Sequence, residues 1–498
     1  MTPAGGESRR LATGSLAQQA SQLTGLMAML AIITVLARRL SLAELGVYGL
    51  LTSLVGYLLI VQNAAGGAAV RKIAASRDSA EAGRAFSSAA ACYAGAGAVT
   101  ALLLVGAGFA LDPALGLDAE LAAEVRRGAL LLALVTAVGW PLTIYRDALR
   151  AEGLLVRVAL TEIVSLLAYA GLVLGLALGG ASLAAVIGAS GAIPLLAGIG
   201  CLLSARGRGY RLRASSVTRD DVRELLGLAG YLSLTEAAAA GIYAADRLIL
   251  GVFSSAATVA LFEGPVRAHN LVRALNSAIT VTVLPAATRY HAAGDERRLR
   301  ELLVRGVRYT LAMVVPPVVV GMVLAGPLLE VWLGERFREG ATAMAILMAH
   351  WLLNGCSGLL AALLVATGRA RELARYALLL AGANVVLALC LAPGLGLEGV
   401  AIATTVPYVL LFPLLLRRAT EAVPVPVAEL MRRGFGPPLA AGVALAALVL
   451  GARLVLSPES LVSVAALAGG AMAVYWAAFY LVAMDPGERR LVRSLLRR

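Results

Sequence analysis

The sequence predicts an all-α polytopic membrane protein with about 14 transmembrane helices. We expect two six-helix bundles related by a pseudo-two-fold axis, followed by a C-terminal helix pair. Three observations support this fold class. The 498 residues are 60% hydrophobic and 15% charged, whereas a soluble protein carries about 25% charged residues. Apolar runs of about 20 residues, long enough to cross a bilayer as helices, recur along the chain. The basic residues are divided unevenly between the two sets of connecting segments, as in oriented membrane proteins.

The apolar runs give the predicted spans in order. They lie near 15–37, 45–69, 85–110, 128–145, 157–178, 183–204, 225–252, 257–287, 308–330, 341–366, 374–392, 398–416, 437–456 and 461–483. The longest polar connection separates the sixth span from the seventh, and a proline-containing connection precedes the last pair. We therefore predict an N-terminal six-helix bundle at 1–205, a cytoplasmic linker at 206–224, a C-terminal six-helix bundle at 225–418, a linker at 419–436, and helices 13 and 14 with a basic cytoplasmic tail at 437–498.

The arginine distribution predicts the orientation. Of the 43 basic residues only Lys72 is a lysine. If the N-terminus is cytoplasmic, most basic residues fall on the cytoplasmic side, and the outer loops hold only Arg38, Arg39, Arg126, Arg127, Arg336 and Arg338. This bias predicts a multi-pass protein of the bacterial cytoplasmic membrane with both termini in the cytoplasm. The net charge of +13 then reflects topology and attraction to anionic lipids, and no nucleic-acid partner is expected.

Two short similarities predict an internal repeat. Residues 41–48 resemble residues 255–262, and residues 182–189 resemble residues 397–404. Both pairs are separated by about 215 residues, which favours two halves of six spans each. An even number of spans gives the halves the same orientation, so their symmetry axis would run along the membrane normal.

The seventh and eighth predicted spans carry charges at membrane depth. The seventh contains Glu236, Asp246 and Arg247, and the eighth contains Glu263, Arg267, Asn270 and Arg273. On a helical wheel Glu236 and Arg247 point in directions about 20° apart. Each charge costs at least about 2.5–3.5 kcal/mol at the bilayer centre, so such residues face a cavity or one another.

Two interpretations of these charges remain open. In the first, Arg247, Arg267 and Arg273 line a water-filled cavity that binds an anionic group. In the second, the charges form structural ion pairs, because Glu263 lies four residues before Arg267 and Asp246 is adjacent to Arg247.

Polar residues on two other spans also allow either a structural or a functional interpretation. Gln18 and Gln22 share one face of the first span, where they either form hydrogen bonds between helices or line a cavity. Glu162 on the fifth span is either paired structurally or coupled to protons.

The sequence contains no motif of an enzyme, cofactor site or metal site. There is no Walker A loop, HExxH or GxSxG motif, and the cysteines and histidines lack metal-ligand spacing. The formal GxGxxG at 394–399 follows a membrane span rather than a strand. We read it as a tight outer turn in which glycine permits a positive φ.

Four segments resemble one known family. Residues 36–60, with Glu44, Gly46 and Tyr48, resemble the first helices of polysaccharide flippases of the multidrug/oligosaccharidyl-lipid/polysaccharide exporter superfamily. The segments 245–271, 282–291 and 396–406 resemble the opening of the second half, the end of the eighth helix and the entry to the twelfth. The resemblance covers nearly the whole chain.

This resemblance implies an oligosaccharide-lipid flippase rather than an enzyme. Two bundles would enclose a cavity that opens to each membrane face in turn, and the cargo would be an oligosaccharide on polyprenyl pyrophosphate. The predicted site then consists of Arg247, Arg267, Arg273, Asn270, Gln18 and Gln22, with Glu236, Asp246 and Glu263 in charge pairing or ion coupling. Membrane lipids, a polysaccharide polymerase and glycosyltransferases are the implied partners.

Three other functions are alternatives to the oligosaccharide-lipid flippase. A lipid II flippase and a cation-coupled multidrug exporter belong to the same superfamily. A membrane glycosyltransferase or polymerase is less consistent with the short outer loops.

Overall fold

The computed structural model describes the backbone of residues 3–456, 458–484 and 487–490. Their side chains are described except at 3–12, 15, 57–61, 231–245 and 278–282. The described residues are mostly helical and include no strand, so the predicted all-α class is confirmed. It divides into two compact units, residues 1–260 and 261–498. The predicted six-helix halves have other boundaries and stay a prediction.

The helices of the first unit follow the first seven predicted spans. They are α1 (Pro3–Arg39), α2 (Leu42–Ala74), α3 (Ser79–Leu115), α4 (Ala119–Leu142), α5 (Ile144–Ala151), α6 (Leu155–Leu178), α7 (Leu183–Ser190), α8 (Ala192–Ser204) and α9 (Arg219–Phe253). Two predicted spans are broken: α4 gives way to α5 at Thr143, and α7 meets α8 at a bend of 46°.

The second unit contains the remaining spans. After α10 (Ala256–Ala292), which begins in the first unit, come α11 (Glu296–Val323), α12 (Ala325–Leu333), α13 (Ala341–Ala349), α14 (Trp351–Asn354), α15 (Ser357–Ala366), α16 (Ala370–Ala422), α17 (Val427–Leu430), α18 (Gly436–Leu456) and α19 (Leu461–Ala478).

Length and composition identify the membrane-crossing helices. Among the described residues nine helices are long and apolar enough to cross a membrane, or ten if α7 and α8 form one span. Helix α16 counts once although it contains two predicted spans. Its backbone is non-helical at Gly396, where φ is +52°, so the predicted glycine turn at 394–399 is present between the two spans.

The resemblance motif at 44–48 has a structural explanation in helix α2. Ser41 caps this helix by accepting a hydrogen bond from the Glu44 backbone N–H, and the Glu44 carboxylate accepts one from the Ser41 N–H at 2.7 Å. Two residues further on, a Cβ on Gly46 would lie 1.8 Å from the backbone oxygen of Ala256. The glycine therefore permits the start of α10 to cross α2 backbone against backbone.

Replacing Gly46 by alanine should destabilise the protein. The added methyl group must push α2 away from Ala256, and overpacking of this kind costs about 1–3 kcal/mol. Thermal unfolding in detergent would measure this loss. The matched control is Gly56→Ala, since no heavy atom lies within 4 Å of a Cβ there. Equal unfolding temperatures for the two variants would contradict the close crossing.

Helix α9 packs along α2 within the first unit. Near its C-terminal end Gly251 packs against Leu50. A Cβ added to this glycine would lie 2.8 Å from the leucine side chain. Near its N-terminal end the Lys72 ammonium group lies 2.8 Å from Asp221 and also contacts Glu224. These contacts place the only lysine of the chain in an ion-pair cluster.

The predicted linker at 206–224 packs on α3. The Ser87 hydroxyl donates a hydrogen bond to the carbonyl of Arg211 and accepts one from the N–H of Arg213. The Tyr210 ring lies 5.0 Å from the Phe86 ring. The linker ends within α9, which begins at Arg219.

Candidate functional site

The predicted charges of helix α9 lie partly outside the described side chains. Glu236 falls in the segment 231–245, so its side chain is not described. Asp246 is buried, with 4% exposure. The Arg247 guanidinium is half-buried and donates a hydrogen bond to the Ser53 hydroxyl on α2 at 2.9 Å. Arg247 thus connects two helices of the first unit.

Glu263 and Arg267 of helix α10 form a buried ion pair. Nη2 and Nε of Arg267 both donate to Oε2 of Glu263, at 2.9 and 3.2 Å. The exposure of Glu263 is 1% and that of Arg267 is 7%. The neighbouring Gly264 lies against the side chains of Leu329 and Leu333. This stretch of α10 is therefore protein interior, and the ion pairing that the spacing allowed is present.

Helix α10 has both buried and exposed positions after this pair. Asn270 is half-buried and Arg273 is exposed. Arg267, in contrast, is held by Glu263 and can meet a ligand only by leaving that carboxylate. The cavity role of these residues stays a prediction.

The glutamines predicted on α1 differ in their surroundings. The Gln18 amide donates to Oε2 of Glu162 at 3.4 Å, and the Ser21 hydroxyl donates to the same oxygen at 3.3 Å. The other Glu162 oxygen accepts from Arg150 at 2.9 Å. Gln22 is exposed. Glu162 is therefore a paired carboxylate, one of its two predicted states.

The first unit contains a buried carboxylate, Asp147, that the sequence alone did not indicate as a site residue. Its exposure is 0%, and it accepts a hydrogen bond from the Tyr93 hydroxyl at 2.7 Å. The guanidinium groups of Arg146 and Arg150 lie 3.3 and 3.6 Å from its other oxygen. Helix α5 carries this arginine pair within the first unit. An aspartate between two arginines in one short stretch was the available sequence signal.

A cavity of about 260 Å³ adjoins these charges in the first unit. Its wall is mainly apolar and also includes the polar side chains of Ser21, Gln62, Asn63, Thr136, Thr143, Arg146, Glu162 and Ser190. Three buried lining atoms lack a hydrogen-bond partner among the described residues, namely Thr136 Oγ1, Trp140 Nε1 and Arg146 Nη2. Two of these are N–H donors and the third is a hydroxyl, so the cavity can accommodate oxygen acceptors of water or a ligand.

Metal-binding clusters are absent from the part of the chain that the structure describes. No three His, Cys, Asp or Glu side chains there are grouped so as to hold an ion. The polar sites offer ion pairs and hydrogen bonds for binding.

Solved structures with the same fold are membrane transporters. The lipid II flippase MurJ in an inward closed conformation superposes with a TM-score of 0.71 at 13% identity, covering 94% of this chain and 98% of that one. An inward-facing multidrug resistance MATE family transporter of the MOP superfamily gives 0.63 at 15% identity, covering 80% and 95%. The chain is thus a multi-pass protein with the fold of the MOP-superfamily transporters.

The sequence comparisons identify the family. The chain belongs to the polysaccharide biosynthesis protein family, whose sequence model matches residues 35–342. The sequence model of the lipid II flippase MurJ matches residues 270–469. The uncharacterized membrane protein EpsK of Bacillus subtilis (strain 168) is 30% identical over 166 residues, which span 33% of this chain and 32% of EpsK. The predicted polysaccharide family is thus confirmed. The second matching sequence model and the solved structures with this fold are flippases and transporters rather than enzymes, in agreement with the prediction of a non-enzyme.

Proposed function

We propose that this flippase moves an oligosaccharide linked to polyprenyl pyrophosphate from the inner to the outer leaflet of the bacterial cytoplasmic membrane. The observation that carries the proposal is the family match over residues 35–342, together with the arginines on α10 inside that match. The product would supply surface polysaccharide synthesis, with glycosyltransferases upstream and a polymerase downstream.

The mechanism we propose is alternating access. Residues 1–205 would rock against residues 222–418, and the pyrophosphate would be held by charge-assisted hydrogen bonds from Arg267 and Arg273. Because Arg267 is bound to Glu263, the cargo must replace that carboxylate. A proton or cation taken up by Glu263 would make the replacement easier, which offers one route to ion coupling.

A deletion strain tests the cargo. Lipid-linked intermediates are extracted, and their leaflet is determined by access of a membrane-impermeant glycosidase. We expect a glycan–polyprenyl pyrophosphate on the inner leaflet, restored to the outer leaflet by the wild-type gene. No accumulation, with drug sensitivity instead, would overturn the proposal in favour of a multidrug exporter.

Lipid II is the second candidate cargo. The match of the MurJ model to residues 270–469 is the observation that favours it. Accumulation of lipid II in the same extracts, without another lipid-linked glycan, would assign the protein to that function.

A further inference from the structure

The second unit contains a cavity of about 800 Å³ lined mainly by charged side chains. It lies between the first three turns of α11 and the segment that joins α17 to α18. Six arginines line it: Arg297, Arg300, Arg305, Arg308, Arg432 and Arg433. We call this cavity the arginine pocket. Neither Arg267 nor Arg273 lines it, so it is separate from the proposed cargo site.

Carboxylates neutralise the arginine pocket only in part. Three glutamates line it beside the six arginines: Glu296, Glu301 and Glu429. Glu301 lies 3.4 Å from Arg297, and Glu429 lies 3.8 Å from Arg300 and 3.2 Å from Arg433. Glu488 is likewise shared between two arginines of α11, at 4.0 Å from Arg305 and in closer contact with Arg308.

Two arginines of the pocket, Arg432 and Arg308, have N–H donors that no described acceptor uses. Arg432 is exposed and forms no ion pair with any described residue. Arg308 is 9% exposed, and its buried Nε has no hydrogen-bond partner within the described part of the chain. A positive pocket with unused guanidinium donors matches phosphate, which accepts several charge-assisted hydrogen bonds.

The position of the pocket along the helices suits the headgroup level of a membrane. The pocket-lining part of α11 is polar, and the same helix continues as an apolar span. On the opposite wall Pro437 lies in the first turn of α18. The exposed apolar side chain of Val443 follows six residues later, which corresponds to about 9 Å along the helix. A lipid phosphate in the pocket would therefore have an apolar helix surface beside its acyl chains.

We propose that the arginine pocket binds the phosphate headgroup of an anionic lipid in the leaflet that the arginine distribution assigns to the cytoplasm. Basic pockets between membrane helices on this side are suited to such headgroups. The bound lipid would bridge α11 and the 431–437 segment, because arginines from both would share one phosphate group.

The test compares two double variants that carry the same change in charge. Arg300→Gln with Arg432→Gln removes one paired and one unpaired arginine of the pocket. The control, Arg371→Gln with Arg417→Gln, removes two exposed arginines outside it. Purified protein in neutral phosphatidylcholine nanodiscs is titrated with phosphatidylglycerol, and bound lipid is counted by native mass spectrometry.

We expect the pocket variant to bind phosphatidylglycerol about thirtyfold more weakly, since it loses two basic residues that each contribute about 1 kcal/mol at such a surface. The control variant should match the wild type. Equal affinity of both variants would overturn the proposal. Inorganic phosphate that binds the wild type as tightly as the lipid does would assign the pocket to a soluble phosphate compound and overturn the lipid assignment. The readout does not depend on cargo transport.

Discussion

Replacing Arg267 and Arg273 by alanine should abolish export of the lipid-linked glycan while leaving the protein in the membrane. Each charge-assisted hydrogen bond to pyrophosphate contributes about 1.5–3 kcal/mol. Losing both arginines should therefore weaken cargo binding by about a hundredfold or more. Outer-leaflet glycan is measured in the deletion strain that carries each variant at matched membrane abundance.

The ion pair with Glu263 requires further variants in that experiment. Removal of Arg267 leaves the buried Glu263 carboxylate without this partner, and loss of export could then result from misfolding. The Glu263→Gln variant separates the two causes. It keeps the export activity if Arg267 binds cargo, because the guanidinium is released from the carboxylate. If the pair is structural, the unfolding temperature falls instead.

One control variant and one contradicting result test this prediction. Arg417→Ala, an exposed arginine outside α10, should leave export unchanged. Normal export by the Arg267→Ala, Arg273→Ala protein would rule out pyrophosphate binding by these arginines.

The sequence predicted those features that depend on local spacing. The apolar runs located the long helices. The Glu263–Arg267 pair and the turn at Gly396 followed from residues a few positions apart. Helix composition and the positions of glycines, caps and charges are short-range properties, and a single sequence displays them directly.

The polar network of the first unit depends on contacts that one sequence does not display. Tyr93 and Asp147 are 54 residues apart, and Gln18 and Glu162 are 144 apart. Periodicity shows that such residues share a helix face but not which other helix meets that face. For the same reason the burial of Arg267 against its own unit was not evident from the polar stripe of α10.

Replacing Asp147 by alanine should cause the largest loss of stability among these variants. Its side chain is 0% exposed and is the shared acceptor of Arg146, Arg150 and Tyr93. Without this carboxylate the two guanidinium groups lose their shared negative partner. Breaking a buried ion pair in this way costs about 3–5 kcal/mol. Thermal unfolding of the purified protein measures the change.

Two companion variants identify the source of that loss. Tyr93→Phe removes only the hydroxyl donor and should cost less, about 1.5–3 kcal/mol for a hydrogen bond to a charged group. Asp112→Ala removes the partner of Arg126 in a pair whose side chains are 35% and 40% exposed, so solvent screening limits its cost to about 1 kcal/mol or less. If Asp147→Ala unfolds at the same temperature as Asp112→Ala, then the network around α5 does not hold the first unit together. If the predicted order is found, then α3, α5 and α6 are linked through charge rather than through apolar packing alone.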